Sequence, residues 1–263
     1  MTKWFHKCDI EWLKARQQCL TATDVKELLP VTKTGRKRTI TDEHYFKVLA
    51  CKQVNLTEDD CVSTGAAARG HILEPYAIEV YNKEIFRGTA PRLWHWDDVV
   101  ITKPKHVFGG LAFSPDAMDR AHAAYMGRSL LNGIDATAVG EVKSYYPERH
   151  IVCGHTPKED LEERWQIATA MAVCESIETA YLLFYNPSMR DQLYIVDYDR
   201  ADLADEIETV LEVERNWFAW LHSFSKLDKH YTVNGELDEE EAIIRGIMKN
   251  EELNPEGEKS VVR

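Results

Sequence analysis

The sequence predicts an α/β (α+β) fold in which a central mixed sheet of five strands is flanked by helices. Three observations carry this. Before residue 82 apolar residues recur at helical spacing; beyond it come short β-rich runs bounded by Pro, Gly and Asp; and a strongly amphipathic segment separates the third run from the fourth.

Residues 9–19 (DIEWLKARQQC) read as a helix opened by Asp9, and a second short helix starts near Thr23 and stops at Pro30. Helical periodicity returns over 41–54 and 59–81, with Gly70 read as the only internal breaker. Residues 99–101, 107–113 and 138–144 are predicted strands of one sheet, and 117–137, rich in Ala, Gly and Asn, a long loop between the last two. Residues 158–176 are predicted to form one amphipathic helix, with Leu161, Trp165, Ala168 and Ala172 on the face toward the sheet. Strands follow at 179–185 (TAYLLFY) and 192–198 (QLYIVDY), and the Asn186-Pro187-Ser188 turn signal between them suggests an antiparallel return. A helix over 201–224, anchored by Trp217 and Trp220, closes the body. Residues 1–230 are therefore expected to form one domain, with a helical insertion and basic loop at 31–60 and an acidic tail at 231–263.

Composition narrows the function classes. With 44% hydrophobic and 29% charged residues, the chain is neither largely disordered, collagen-like nor disulfide-stapled. No run of eighteen apolar residues exists and the start is charged, so neither a membrane span nor a signal peptide is expected and the protein should work inside a cell. The six scattered cysteines, none in a CxxC pair, read as reduced thiols. His150, Cys153 and His155 resemble metal ligands but lack a fourth, and zinc is not expected there. The net charge of −12 excludes a surface that is basic all over, yet residues 235–263 alone hold nine acidic and four basic residues, so −5 belongs to the tail and −7 to the rest. Lys33-Thr-Gly-Arg36-Lys37-Arg38 reads as a mobile basic loop, open to phosphate contact or to simple solvation.

The chemistry concentrates at Glu74, Asp116, Glu141 and Lys143. Alternate residues of a strand face the same side, so Glu141 and Lys143 share a face while Val142 points into the core. Carboxylates buried beside a lysine are costly unless compensated, and a hard divalent cation on oxygen ligands compensates them. Mg²⁺ held by Asp116, Glu141 and the backbone carbonyl of Val142, beside the Lys143 ammonium, suits phosphodiester hydrolysis. With 44 acidic residues and 17 lysines, an acid-x-Lys triplet arises by chance about three times in this chain. The context is rarer: Ser114-Pro115-Asp116 ends one strand, and Glu141-Val142-Lys143 lies in the next.

These motifs resemble the PD-(D/E)XK nuclease superfamily, and within it the lambda exonuclease group, also described as YqaJ-like viral recombinases. Trp12-Leu-Lys-Ala-Arg16-x4-Thr21-Ala22-Thr23 is similar to that group's opening motif, Gly70-x3-Glu74-Pro75-x-Ala77 to its helical acidic motif, Ser114-Pro115-Asp116 with Glu141-Val142-Lys143 to its catalytic pair, and Gln166 to a fourth element. The resemblance implies a restriction-endonuclease-like core in which Asp116 and Glu141 bind Mg²⁺, with Mn²⁺ as a substitute. It further implies that Lys143 serves the attacking water, that Glu74 and Gln166 complete the site, and that Arg16 and Thr23 bind the 5′-phosphate of a DNA end. A helix opening at Thr23 would suit that anion, because Lys26 stands where a capping box wants Glu or Gln.

What the resemblance implies overall is a 5′-to-3′ double-stranded DNA exonuclease for phage-type recombination. It would act in a bacterial cytoplasm, close into a ring of three around DNA and meet a single-strand annealing protein. The chain departs from the group's pattern at Arg69, where Trp is usual, and at Ala117, where glycine is. Two alternatives stay open: an endonucleolytic or structure-specific DNase with the same metal site, and a non-catalytic DNA-end-binding assembly subunit.

Overall fold

A computed structural model describes residues 3–4, 10–32, 36–57, 65–85, 90–96, 99–102, 110–120 and 135–227. The acidic tail, Lys33–Gly35 of the basic loop and most of the 117–137 segment lie outside the described residues.

The main sheet has five strands: β2 (Trp94–His95), β5 (Ala117–Met118), β6 (Ala138–Lys143), β7 (Thr179–Tyr185) and β8 (Leu193–Asp199), in the order β2-β5-β6-β7-β8. Only β6 and β7 run parallel, so the sheet is mixed as predicted. Its make-up differs from the sequence reading. The 99–101 run becomes β3 (Val99–Thr102), which joins β1 (Lys3–Trp4) and β4 (Ala112–Phe113) in a separate antiparallel sheet, order β1-β3-β4. The place of one predicted sheet is taken by two, and Ala117–Met118, read as loop, is a strand.

The cause is a break in one long hairpin. Ile101 faces Phe113 and His95 faces Ala117, so between these two pairs the register slips by two. Pro115 sits in that break, where a residue without an N–H cannot continue a ladder. Asp116 resumes the pairing through its carbonyl, which accepts the Trp96 N–H at 2.9 Å.

Among the described residues, seven α-helices surround the sheets. α1 (Ile10–Gln17) and α2 (Ala22–Leu28) match the first two expected helices, but α2 is capped by Thr21 rather than opened at Thr23. The Asp24 carboxylate accepts both the Thr21 N–H and its hydroxyl at 2.7 Å, a reciprocal cap that the Lys26 argument overlooked. α3 (Asp42–Gln53) fills the 31–60 insertion, where the Tyr45 ring stacks on Trp220 at 5.0 Å. α4 (Gly65–Glu84) is one helix that contains Pro75 as well as Gly70, so Gly70 is not its only breaker.

α5 (Pro147–His155), started by a proline in its first turn, was not foreseen at all. The expected 158–176 helix is shorter: a 3₁₀ turn covers Lys158–Asp160, and α6 proper spans Arg164–Val173. α7 (Ala204–Leu227) follows a second 3₁₀ turn at Arg200–Leu203. Among the described residues no helix is long and apolar enough to cross a membrane.

Strand alternation divides the core in two. Ala180, Leu182 and Phe184 of β7 pack with Val139 of β6 against α2, α6 and α7; Tyr181, Leu183 and Tyr185 pack with Ala138 and Val142 against Ala77, Ile78 and Tyr81 of α4. Buried on both faces, β7 is the near-continuous apolar run seen in its sequence. α5 lies so close to β8 that a Cβ on Gly154 would stand 2.5–2.6 Å from the Tyr194 ring. Gly154→Ala should therefore cost about 1–3 kcal/mol of stability. The measurement is the urea midpoint at unchanged m-value, and an unshifted midpoint would show that the ring can retreat.

Candidate active site

Glu141 and Lys143 occupy the odd-numbered face of β6, the same face as Val139, while Val142 points to the α4 side. That face meets α6, which brings Gln166 onto both. The Lys143 ammonium donates to Glu141 Oε1 at 2.5 Å and to Gln166 Oε1 at 2.9 Å, and Gln166 Nε2 donates to the same Glu141 oxygen at 2.6 Å. This closed triangle holds all three side chains by mutual hydrogen bonds. Extending the β5–β6 register, in which Ala117 faces Gly140, sets Asp116 opposite Glu141. Its Oδ2 accepts the Val142 N–H at 2.9 Å.

Asp116 and Glu141 are both more than nine-tenths buried. Burial alone would lower the Lys143 pKa, but the charges of Glu141 and Asp116, the hydrogen bond to Glu141 and the charge of Glu163 outweigh it and hold the ammonium above its ordinary range. Lys143 is thus a fixed cation and donor, suited to orienting a nucleophile or steadying phosphate charge.

Arg16, on α1, donates to the Ser114 hydroxyl at 3.0 Å and lies over the Trp12 ring at 4.5 Å. Burial pulls its guanidinium below the ordinary value, opposed by the charges of Asp24, Glu141 and Asp116. Arg16, Thr21, Thr23, Ser114, Glu141 and Gln166 line one cleft. Thr23 reaches it from the first turn of α2, where backbone N–H groups lack helical partners.

Glu74 comes from α4, whose residues pack the other side of the sheet. Its carboxylate meets His71 Nδ1 at 3.1 Å and His95 Nε2 at 3.7 Å. Among the described residues no three His, Cys, Asp or Glu side chains gather closely enough to hold a metal between them. The oxygen donors that fit a hard cation are the Asp116 and Glu141 carboxylates with neighbouring backbone oxygen, a set that leaves several positions to water, as Mg²⁺ prefers. His150 and Cys153 are both buried, and His150 Nε2 bonds to the Asp191 carbonyl at 2.9 Å. Cys19, Cys51, Cys153 and Cys174 are free thiols.

No protein-family model matches the chain, and no curated protein matches it either. Among solved structures, the crystal structure of LHK-Exo in complex with dAMP superposes with a TM-score of 0.52 at 21% identity, covering 83% of this chain and 100% of that one. The chain has the LHK-Exo fold. A second structure of that protein, described as an alkaline exonuclease from Laribacter hongkongensis, matches with the same identity and coverage and a TM-score of 0.49. The LHK-Exo fold agrees with the expected nuclease-like α/β core.

Against that fold, the predicted residues Arg16, Thr23, Glu141 and Gln166 share a cleft, with Lys143 and Asp116 joined to Glu141 and its strand. Sequence reasoning missed three groups. Ser114 was quoted only as part of a motif, and its adjacency to Pro115-Asp116 was the available signal. His71 stands three residues before Glu74, one helical turn away, and could have been paired with it. Glu163, one turn before Gln166, carries a second network: Oε1 accepts the Tyr145 hydroxyl at 2.6 Å and Arg149 at 3.2 Å.

Proposed function

We propose that the chain is a Mg²⁺-dependent deoxyribonuclease that hydrolyses duplex DNA from a 5′-phosphorylated end in the 5′-to-3′ direction, with Mn²⁺ able to replace Mg²⁺. The observation that carries this reading is that an anion-seeking pair, Arg16 and Thr23, lines the same cleft as Glu141 and Gln166. A nuclease so arranged cuts next to the terminal phosphate that it grips. The LHK-Exo fold supports the reaction class, and dAMP, which that protein binds, has the chemistry of an exonuclease product.

Asp116, Glu141 and the Val142 carbonyl would hold the cation. A divalent ion bound there supplies charge neutralisation and a more acidic water. The protein's own groups do the rest. Lys143 fixes the nucleophile and offsets charge on the phosphate; Gln166 keeps Lys143 and Glu141 in register; Arg16 gives the terminal phosphate a forked, charge-assisted partner. In this reading the product is a 3′ single strand for phage-type recombination in a bacterial cytoplasm. A ring of three would place basic groups inside and acidic ones outside, and a single-strand annealing protein would receive the product.

The deciding experiment is digestion of linear duplex labelled at the 5′ or the 3′ terminus, with and without Mg²⁺. Early release of the 5′ label, only with Mg²⁺, is expected, and a covalently closed circle should survive. Cutting of the circle would favour the endonuclease alternative, and binding without cleavage the assembly-subunit one. Arg16→Ala should reduce the preference for 5′-phosphoryl over 5′-hydroxyl ends by about tenfold or more, the scale of a hydrogen bond to a charged group. An unchanged ratio of rates on the two ends would dismiss the pocket.

A further inference from the structure

An exposed aromatic strip lies where the chain beyond β6 meets α4, and it takes no part in the chemistry above. Tyr146 stands three residues beyond Lys143 and is 67% exposed, although burying a tyrosine ring is favourable. The Arg69 guanidinium lies over its ring, 5.3 Å from the centroid. Arg69, Ile72 and Tyr76 follow one another along α4 at helical spacing, with Ile72 and Tyr76 65% and 55% exposed. Chain length places Tyr146 near Lys143 and Arg69 near Glu74. Three residues of chain span at most about 10 Å, which bounds Tyr146 from Lys143. Five residues of helix rise about 7.5 Å, which separates Arg69 from Glu74. Among the described residues no carboxylate pairs with Arg69. A net-negative protein therefore keeps a cation and an open π-face together, a few residues of chain from Lys143.

We propose that Tyr146 and Arg69 form a stacking platform for an unpaired base of the DNA strand entering the cleft. The inference rests on the nuclease reading and names how that site holds its substrate. Every base has a π-face, so an aromatic ring grips a strand without reading its sequence, and a planar guanidinium can stack on the base or meet the adjoining phosphate. A cation beside an open ring suits a strand that alternates phosphate and base, whereas an acidic segment brings no base to stack and an apolar one no anion. Holding a base there would keep the terminal nucleotides apart from their complement while the phosphate is attacked.

The test uses the full chain and a 5′-phosphorylated duplex with three frayed terminal nucleotides, bound in Ca²⁺ so that it is not consumed and followed by fluorescence anisotropy. A second duplex carries abasic residues in the frayed segment. Tyr146→Ala and Tyr146→Leu should weaken binding of the first duplex about 5- to 150-fold, the range for loss of one stacked base. Tyr146→Trp should bind like wild type. On the abasic duplex all four proteins should bind alike, because the base that the ring would hold is gone. Equal affinity of Tyr146→Ala and wild type for the frayed duplex would overturn the platform, as would a loss of the same size on both duplexes. If wild type cleaves DNA while Tyr146→Ala matches it throughout, only the platform fails. If wild type neither cleaves nor binds DNA ends, the nuclease reading fails with it.

Discussion

Lys143→Ala is expected to slow DNA cleavage by about 10²–10³-fold while leaving affinity for DNA ends within about twofold, because it removes a preorganised cation aimed at developing charge. The triangle with Glu141 and Gln166 makes the effect specific. Without the ammonium, the Glu141 oxygen that accepts two donors keeps only Gln166 Nε2 of the pair. Lys143→Arg keeps the charge but carries a planar fork in place of a compact ammonium, and should restore only part of the rate. Single-turnover rates on a linear duplex, beside end binding in Ca²⁺, separate the two quantities. Equal single-turnover rates for Lys143→Ala and wild type would remove Lys143 from the chemistry.

The second large effect concerns stability. Burial alone would raise the Glu163 pKa, but the Tyr145 hydroxyl, the backbone and Arg149 outweigh it and hold this 1%-exposed carboxylate below its usual range. A group with a depressed folded pKa contributes stability that is present above its unfolded value and is lost as pH falls through the folded one. Glu163→Gln should therefore cost about 2 kcal/mol at pH 7, the scale of hydrogen bonds to a charged group. The gap to wild type should begin to narrow below about pH 4, where the unfolded chain protonates its glutamates, and close as pH falls through the lower folded value. Urea unfolding at the two pH values gives the answer, and a gap of constant size would place the loss in packing instead. Because Tyr145 and Lys143 lie two apart beyond the same face of β6, the variant also tests how firmly α6 is seated against that strand.

Much of this architecture could be read before any coordinates. Period-two alternation assigned Glu141 and Lys143 to one face and Val142 to the other, and the packing of Val139 and Val142 into different cores agrees. The apolar run of β7 announced a strand covered on both sides. Other elements carry no such signature. β2 and β5 have two residues each, and two residues have no period. The hairpin break was hidden because Pro115 reads equally well as a turn. α5 is only nine residues long, and His150, Cys153 and His155 along it read as ligand-like residues rather than as a helix face. Thr21 and Thr23 are both good caps, and only the reach of Asp24 back to Thr21 decides between them. In the site, strand and helix neighbours were legible, but pairings across distant segments were not. His95 meets a glutamate that precedes it by 21 residues on another element, and Arg16 finds Ser114 across 98.

That last span separates two inheritances within one cleft. Asp116, Glu141, Lys143 and Gln166 come from a single stretch of 51 residues, 116 to 166, knitted by its own hydrogen bonds. Arg16 and Thr23 arrive on a leading helical pair tethered at Leu20 to Leu111 and at Arg16 to Ser114. In the proposed reaction, remodelling the leading pair would change the kind of terminus accepted and leave the hydrogen bonds of the 116–166 stretch standing.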